Sequence, residues 1–215
     1  MTRTERYSFE CARCPRLAAA LAADRLQNPH HVALPIGARG PRAARLLIVG
    51  LAPGHKGANR TGLVFAGDSS GQVLFRALHR FNLADSADPF RARLLNTRLT
   101  NCVKCWPPGN RPETGERNAC RRYLEQELAE LWRPGVRRPR VLLCLGRFAH
   151  EAVRRLDSLP GKDRWPEFGH NQGAWLTDTL YLQSAFHPSR QNMNTGRLTQ
   201  ELFDAAVERA ARLCL

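Results

Sequence analysis

Short apolar runs alternate along the chain with segments in which apolar residues recur every three or four positions. Four runs predict strands, at residues 45–49, 95–103, 140–145 and within 176–186. Helical periodicity covers residues 15–26, 71–81, 116–132, 148–156 and 195–213. Strands that alternate with helices, without a repeat or a low-complexity linker, predict one α/β domain over residues 1–215. We expect a three-layer α/β/α sandwich with a central, mainly parallel four-stranded sheet.

The loops that follow the strands are the first place to look for a site, because open parallel sheets bind ligands beyond the carboxyl ends of their strands. Four such loops begin at Gly50, Asn101, Gly146 and His187. The first is rich in glycine (GLAPGHKGANRTGLVFAGDSSG), but Leu63 stands where a phosphate-binding loop needs lysine. The dinucleotide fingerprint G-x-G-x-x-G does not occur in it either. The loop predicts a ligand site without a common nucleotide signature.

Three polar residues in these loops are candidates for catalysis, although each also has a structural interpretation. Asp68 precedes Ser-Ser-Gly and an apolar-periodic run, which is typical of a helix N-cap. Asn101 could brace a turn, and a lone histidine at a strand end, such as His187, is more often structural. Their predicted convergence on one edge of the sheet favours an active site.

Charge and composition narrow the possible partners and compartment. The 215 residues include 33 Lys and Arg against 19 Asp and Glu, a formal net charge of +14. This excess favours a polyanionic partner such as nucleic acid, although an arginine-biased genome would produce the same charge. No stretch is long and apolar enough to cross a bilayer, and the N-terminus lacks the apolar core of a signal peptide. We therefore expect a cytoplasmic protein that does not bind membranes.

Seven cysteines in a reducing compartment predict metal or cluster ligands rather than disulfides. Cys11 and Cys14 form one close pair, and Cys102 and Cys105 form another. By spacing alone, both pairs could form a four-thiolate zinc site. Alternatively, an iron–sulfur cluster could take one cysteine of the second pair together with Cys120. Unrelated buried thiols are the remaining alternative.

Several ordered motifs together resemble the uracil-DNA glycosylase superfamily, and most closely its family 5, the iron–sulfur type with a broad substrate range. The motifs are Cys11-x-x-Cys14-Pro-Arg-Leu, the Gly50 loop, NCVKC and PPGN within residues 101–110, Cys120, and HPSRQNMNTGRLT from His187. The resemblance covers most of the chain. It implies a [4Fe–4S] cluster whose ligands are Cys11, Cys14, Cys105 and Cys120, and it leaves Cys102 as an extra thiol.

The resemblance also implies a pocket that holds a base extruded from DNA. In that pocket the backbone of Gly50, Ala52 and Gly54 approaches the nucleotide, and the ring of Phe65 stacks on the base. Asn101 reads the hydrogen-bonding edge of the base.

Catalysis, as the resemblance implies it, needs groups at both ends of the bond that breaks. His187 stabilises the departing base as an anion. Asp68 matches the carboxylate that activates water or stabilises the sugar cation. Residues that push into the duplex where the base has left are expected in the loop 190–194, and the DNA-binding candidates are Arg190, Gln191, Asn192 and Met193.

The predicted function is that of a monofunctional, monomeric DNA glycosylase that removes uracil and other deaminated or damaged bases. A uracil-restricted family 4 type is one alternative, but it would need a glutamate where this chain has Leu51. A zinc-stabilised nucleic-acid-binding protein without catalysis is the other. Metal content separates the zinc alternative from the iron–sulfur one.

Overall fold

A five-stranded sheet forms the centre of the computed structural model, which describes residues 8–215. Residues 1–7, which the single-domain prediction includes, lie outside the described residues. The strands are β1 (Leu46–Gly50), β2 (Thr97–Asn101), β3 (Arg140–Leu145), β4 (Gln172–Thr177) and β5 (Leu180–Ala185). Their order across the sheet is β2-β1-β3-β5-β4. The pairs β1–β2, β1–β3 and β3–β5 are parallel, so the predicted mainly parallel sheet is confirmed.

The predicted number of four strands is wrong, because β4 adds a fifth strand, antiparallel to β5, at the edge of the sheet. The predicted fourth strand corresponds to β5, which lies within residues 176–186, and the same range includes the tight turn at Asp178 and Thr179 that joins β4 to β5. Most of β4 is half-buried or exposed, and Gly173 and Trp175 lie in it. An edge strand with little apolar alternation gives a weak sequence signal.

Within residues 8–215, six α-helices surround the sheet: α1 (Pro15–Gln27), α2 (Ser69–Arg80), α3 (Thr114–Leu131), α4 (Arg147–Arg154), α5 (Arg190–Asn194) and α6 (Gln200–Cys214). Their positions agree with the predictions except in two places: α5 forms where a loop is predicted, and residues 195–199, predicted to begin the last helix, precede α6. Gly196 there has φ +69°, in the left-handed region, and the Thr199 side chain caps α6 by accepting a hydrogen bond from the Leu202 amide.

Helices cover both faces of the sheet, which confirms the three-layer arrangement. Successive residues of a strand point to opposite faces. In β1, Ile48 therefore packs in the core formed with α2 and α6, whereas Leu47 packs in the core formed with α3 and α4. Both residues are fully buried, as expected for a parallel strand covered on both sides. Among the helices of residues 8–215, none is long and apolar enough to cross a membrane.

Candidate active site

A cavity of about 520 Å³ opens at the carboxyl ends of the parallel strands. All four loops that the sequence analysis singled out contribute to it. Its lining residues are Leu51, Ala52, Pro53, Gly54, Ala58, Phe65, Asp68, Ser70, Asn101, Asn110, Leu145, Gly146, Arg147, Phe148, His187, Ser189 and Gln191. The structure thus brings together the three catalytic candidates and most of the candidate binding residues.

Gly50 lies beside this cavity rather than in its lining. It pairs with Asn101 in the parallel register of β1 and β2. A β-carbon on Gly50 would lie 2.5 Å from Oδ1 of Asn101 and 2.7 Å from Cζ of Phe65. Glycine at this position therefore allows the amide and the ring to approach each other behind the cavity wall.

Phe65 has φ +54°, a left-handed conformation that is uncommon for an aromatic residue. Its ring lies 6.3 Å from that of His187, tilted by 30°. Gly71 keeps this turn possible, because a β-carbon there would overlap with the carbonyl oxygen of Phe65. Strained backbone of this kind concentrates at functional sites.

Asp68 is the N-cap of α2, as the sequence predicts, and it also faces the cavity. Its Oδ1 accepts a hydrogen bond from the Gly71 amide at 2.9 Å. Its Oδ2 lies against the backbone of Gly54 and Gly57, where added β-carbons would contact it. The cap holds one oxygen, so the orientation of the other is fixed.

His187 is half-buried at the end of β5. Burial lowers its pKa below the ordinary value of 6.5, while the carboxylate of Asp68 acts in the opposite direction. The imidazole is therefore neutral at pH 7. Its backbone carbonyl accepts hydrogen bonds from the Ser189 amide at 2.7 Å and from Nδ2 of Asn192 at 2.8 Å. These bonds fix the backbone that carries the ring.

Asn101 is 4% exposed and ends β2. Within residues 8–215 its side-chain amide has no hydrogen-bond partner, and it lines the cavity, so both its donor and its acceptor remain free for a ligand. The Nζ of Lys104 donates to its backbone carbonyl at 2.9 Å. Lys104 is itself buried and paired with Glu127 at 2.8 Å, so the backbone of Asn101 is anchored to α3.

The segment expected to be a DNA-penetrating loop is the one-turn helix α5, capped by the Ser189 side chain. Arg190 and Gln191 are exposed, and Gln191 also lines the cavity. Asn192 is occupied by its bond to the His187 carbonyl, and Met193 packs partly against the core. Of the four DNA-binding candidates, Arg190 and Gln191 are thus the more exposed, and Asn192 and Met193 are half-buried.

Four cysteines surround a second, small cavity between α1 and α3. They are Cys11, Cys14, Cys105 and Cys120. The Tyr123 hydroxyl donates to Sγ of Cys11 at 3.4 Å, and the Lys104 amide donates to Sγ of Cys120 at 3.3 Å. Hydrogen bonds to sulfur are usual where thiolates ligate an iron–sulfur cluster.

Cys102 lies elsewhere, in the core beneath α3 and α4 together with Cys144. Burial raises the pKa of Cys102 to about 12 and that of Cys120 to about 11. Buried thiols of this kind are protonated at pH 7 unless a metal stabilises the thiolate. The four-thiol set fits a metal cluster, and Cys102 is not part of it.

Sequence reasoning missed several side chains at the cavity. Asn110, Arg147 and Phe148 line it, although only the motifs that contain or flank them were noted. PPGN was recognised without a role for Asn110, and the loop at Gly146 was placed at the sheet edge without a candidate. Distance along the chain hides such residues until the fold is known.

The arrangement can stabilise a separation of charge. The lining of the cavity includes a carboxylate, Asp68, together with the neutral imidazole of His187 and the amide of Asn101. Cleavage of a bond between a sugar and a base develops positive charge on the sugar and negative charge on the base. Fixed groups of this kind oppose both charges in a partly dry cavity.

Comparisons with known proteins agree with this chemistry. The Uracil DNA glycosylase superfamily matches residues 38–211. The Type-5 uracil-DNA glycosylase of Mycobacterium leprae is 39% identical over 215 residues, which cover 94% of this chain and 91% of the relative. That of Thermus thermophilus is 39% identical over 211 residues, with 94% and 93% covered. A Type-4 uracil-DNA glycosylase of Pyrobaculum aerophilum is 36% identical over 112 residues, with 52% and 48% covered.

Proposed function

This chain belongs to the uracil-DNA glycosylase superfamily, and from that premise we propose that it is a monofunctional glycosylase that excises uracil from DNA. The observation that carries the proposal is the convergence of Asp68, Asn101 and His187 on one cavity. The relatives that match 94% of the chain are Type-5 uracil-DNA glycosylases.

Base extrusion comes first, because a base inside a duplex is out of reach of the cavity. Taking it out of the stack costs roughly a few kcal/mol. Stacking on Phe65 and hydrogen bonding to the free amide of Asn101 recover part of that cost. The backbone of Ala52 and Gly54 forms the adjacent wall.

Bond cleavage then separates charge between sugar and base. Asp68 stabilises the cationic sugar or orients the attacking water, and one of its oxygens is already fixed by the cap of α2. His187, held neutral by burial, donates a hydrogen bond to the base oxygen as negative charge develops there. A neutral donor suits this role because it adds no net charge to the ground state.

The base range is proposed to extend beyond uracil to hydroxymethyluracil, hypoxanthine or ethenocytosine. Leu51 and Ala52 contribute apolar surface where a polar side chain could restrict the base. The much shorter match to a Type-4 relative also favours the broad type. A uracil-restricted enzyme is the contrasting outcome of the test below.

The duplex contact is proposed to involve α5, where Arg190 and Gln191 would fill the space that the base has left. The net charge of +14 supports binding to the phosphate backbone. We also propose that the enzyme acts as a monomer, and that it acts in the cytoplasm.

A [4Fe–4S] cluster is proposed at Cys11, Cys14, Cys105 and Cys120, whose thiols surround the second cavity. When bound, the cluster would cross-link the three chain segments that carry these cysteines, and its proposed role is therefore structural. The segment that carries Cys105 also carries Asn101, so this cross-link lies close to the base-reading residue.

Base release from duplex oligonucleotides tests the function. Each duplex carries one uracil, hydroxymethyluracil, hypoxanthine or ethenocytosine, and alkali-dependent strand breaks report excision. We expect breaks at several bases, strongly reduced in Asp68→Asn, which retains N-cap capacity because asparagine caps as well as aspartate. Breaks at uracil alone would contradict the broad range. A folded, metal-loaded protein that releases no base would overturn the proposal.

A further inference from the structure

A buried carboxylate outside the cavity has a complete set of hydrogen bonds. Asp24 of α1 is 4% exposed. Its Oδ1 accepts from Nε2 of His55 at 2.7 Å and from Nδ2 of Asn28 at 2.9 Å. Its Oδ2 accepts from Nδ1 of His31 at 2.9 Å and from Nδ2 of Asn59 at 2.7 Å. Four donors from separate positions therefore meet on one side chain.

The same residues could be taken for a metal site, since ligand atoms of Asp24, His31 and His55 lie within 4.8 Å of one another. The hydrogen bonds argue against it. Each carboxylate oxygen already accepts two, which fills its acceptor positions. A cation would have to displace both histidine bonds. Burial opposes the ionisation of Asp24, but the hydrogen bonds from His55, His31 and the two asparagines hold its pKa at about 2. The carboxylate is thus an anchor for donors.

The anchor joins α1 to the turn His55–Asn59, which follows β1 and the cavity wall. His55 and Asn59 lie at the two ends of this turn, and both donate to Asp24. The Ala33 amide donates to the carbonyl of Asn59 at 2.8 Å, which adds a backbone bond at the same place. The ring of His55 also packs on Trp106, with ring centres 4.4 Å apart. The position of the turn is therefore determined from outside the cavity.

The inner side of this turn contacts Asp68. Gly57, in the middle of the turn, has no space for a β-carbon because Oδ2 of Asp68 occupies it. Gly54, just before the turn, approaches the same oxygen, at 3.2 Å from an added β-carbon. A shift of the turn would therefore move the wall against which the Asp68 carboxylate rests.

We propose that Asp24 is a positioning residue for excision: it holds the turn His55–Asn59 so that the turn orients the Asp68 carboxylate toward the sugar. The inference rests on the proposed function and deepens it. Asp24 acts through the turn and does not touch the substrate, since it lies outside the cavity lining.

Single-turnover excision from a uracil duplex tests this in four proteins: wild type, Asp24→Asn, Asp68→Asn and the double variant. In Asp24→Asn an NH2 group replaces one carboxylate oxygen and faces the two donors that this oxygen bound. Two of the four hydrogen bonds to residue 24 are therefore lost. We expect the rate to fall about 10- to 100-fold, the range in which small misplacements of catalytic groups act. In the Asp68→Asn background the same substitution should change the residual rate less than about 3-fold, because residues that act as a unit are non-additive.

Asp163→Asn, at an exposed carboxylate, is the matched control and should excise at the wild-type rate. Binding of a duplex with an uncleavable uracil analogue should be unchanged in Asp24→Asn. If Asp24→Asn does not fold, two variants of His55 replace it. His55→Leu removes one hydrogen-bond donor to Asp24, and His55→Gln keeps one. We then expect a lower excision rate in His55→Leu and a partly restored rate in His55→Gln.

Equal rates in Asp24→Asn and wild type would overturn the inference and leave the proposed function intact. A loss of equal size in both backgrounds would also overturn it, because it would show a general effect on the fold. Equal losses in His55→Leu and His55→Gln would overturn it as well. Absence of base release by the wild type would instead contradict the proposed function.

Discussion

Gly57 lies directly against Oδ2 of Asp68, so that a β-carbon on Gly57 would overlap with this oxygen. The backbone of one loop thus forms the support for a carboxylate that belongs to the cap of the next helix. This explains why a glycine is required in the middle of the turn: the space that its side chain would occupy holds the catalytic candidate.

Gly57→Ala is expected to displace the Asp68 carboxylate and lower the rate of uracil excision about 10-fold or more. Gly115→Ala is the matched control, since a β-carbon on Gly115 meets nothing within 4 Å. Single-turnover assays at saturating enzyme measure both. A Gly57→Ala enzyme as fast as the control would show that the carboxylate tolerates movement.

The pH dependence of His187 follows from its burial. Because its pKa is lowered from 6.5, its neutral form persists below that pH, and the acid limb of the excision rate should lie below about 6.5. The carboxylate of Asp68 raises the pKa of His187, so NMR titration of the imidazole should show a still lower value in Asp68→Asn. A midpoint above 6.5, or an upward shift in that variant, would contradict this.

The lowered pKa of His187 also affects the free energy of unfolding. When the pH falls below about 6.5, histidine in the unfolded chain takes up a proton before the half-buried His187 does. The contribution of this group therefore makes folding less favourable as the pH falls through that range. Replacement by Gln should weaken this dependence of the unfolding free energy on pH, which denaturant titrations at several pH values would measure.

Removal of the thiol should change the iron content of the protein at one buried cysteine, Cys120, and not at another, Cys102. Cys120→Ser takes away one of the four thiols around the second cavity and should lower iron content and visible absorbance. Cys102→Ser changes a thiol in the core beneath α3 and α4 and should leave both close to wild type. Iron analysis of anaerobically purified protein checks this. Equal iron in the two variants would rule out the proposed ligand set.

Lys104 and Glu127 form a buried ion pair that also holds the carbonyl of Asn101. Lys104→Met leaves the Glu127 carboxylate buried without its cation, which should cost about 3–5 kcal/mol of unfolding free energy. The double variant Lys104→Met/Glu127→Leu should recover part of that loss, because neither charge remains. Urea unfolding measures both, and a double variant less stable than the single one would contradict the expectation.

Local signals in the sequence were sufficient for the layers of the fold and for the helix cap at Asp68. The apolar runs that form β1 and β3 are buried on both faces of the sheet. Such strands are recognisable in a sequence because nearly all of their residues are apolar. The edge strand β4 leaves none, since its residues are mostly half-buried or exposed and it is joined to β5 by a two-residue turn.

The candidate site was predictable where one loop carried several special residues, as between Gly50 and Gly71. It was not predictable where contacts join distant segments. Asp24 and His55 are 31 positions apart, and neither resembles a site residue by itself. Asn110 reaches the cavity only because the segment between Cys105 and Cys120 folds back toward it.

The walls of the cavity are largely apolar, with Leu51, Ala52, Leu145 and Phe148 among its lining residues. A site rejects a wrong ligand most strongly when that ligand leaves buried polar groups unpaired, and apolar walls impose little such penalty. Under the proposed broad base range, much of the discrimination between intact and damaged DNA would then occur earlier, at the opening of the base pair. A weakly paired base spends more time outside the helix. The stability of each base pair would therefore determine how often its nucleotides enter the cavity of this enzyme.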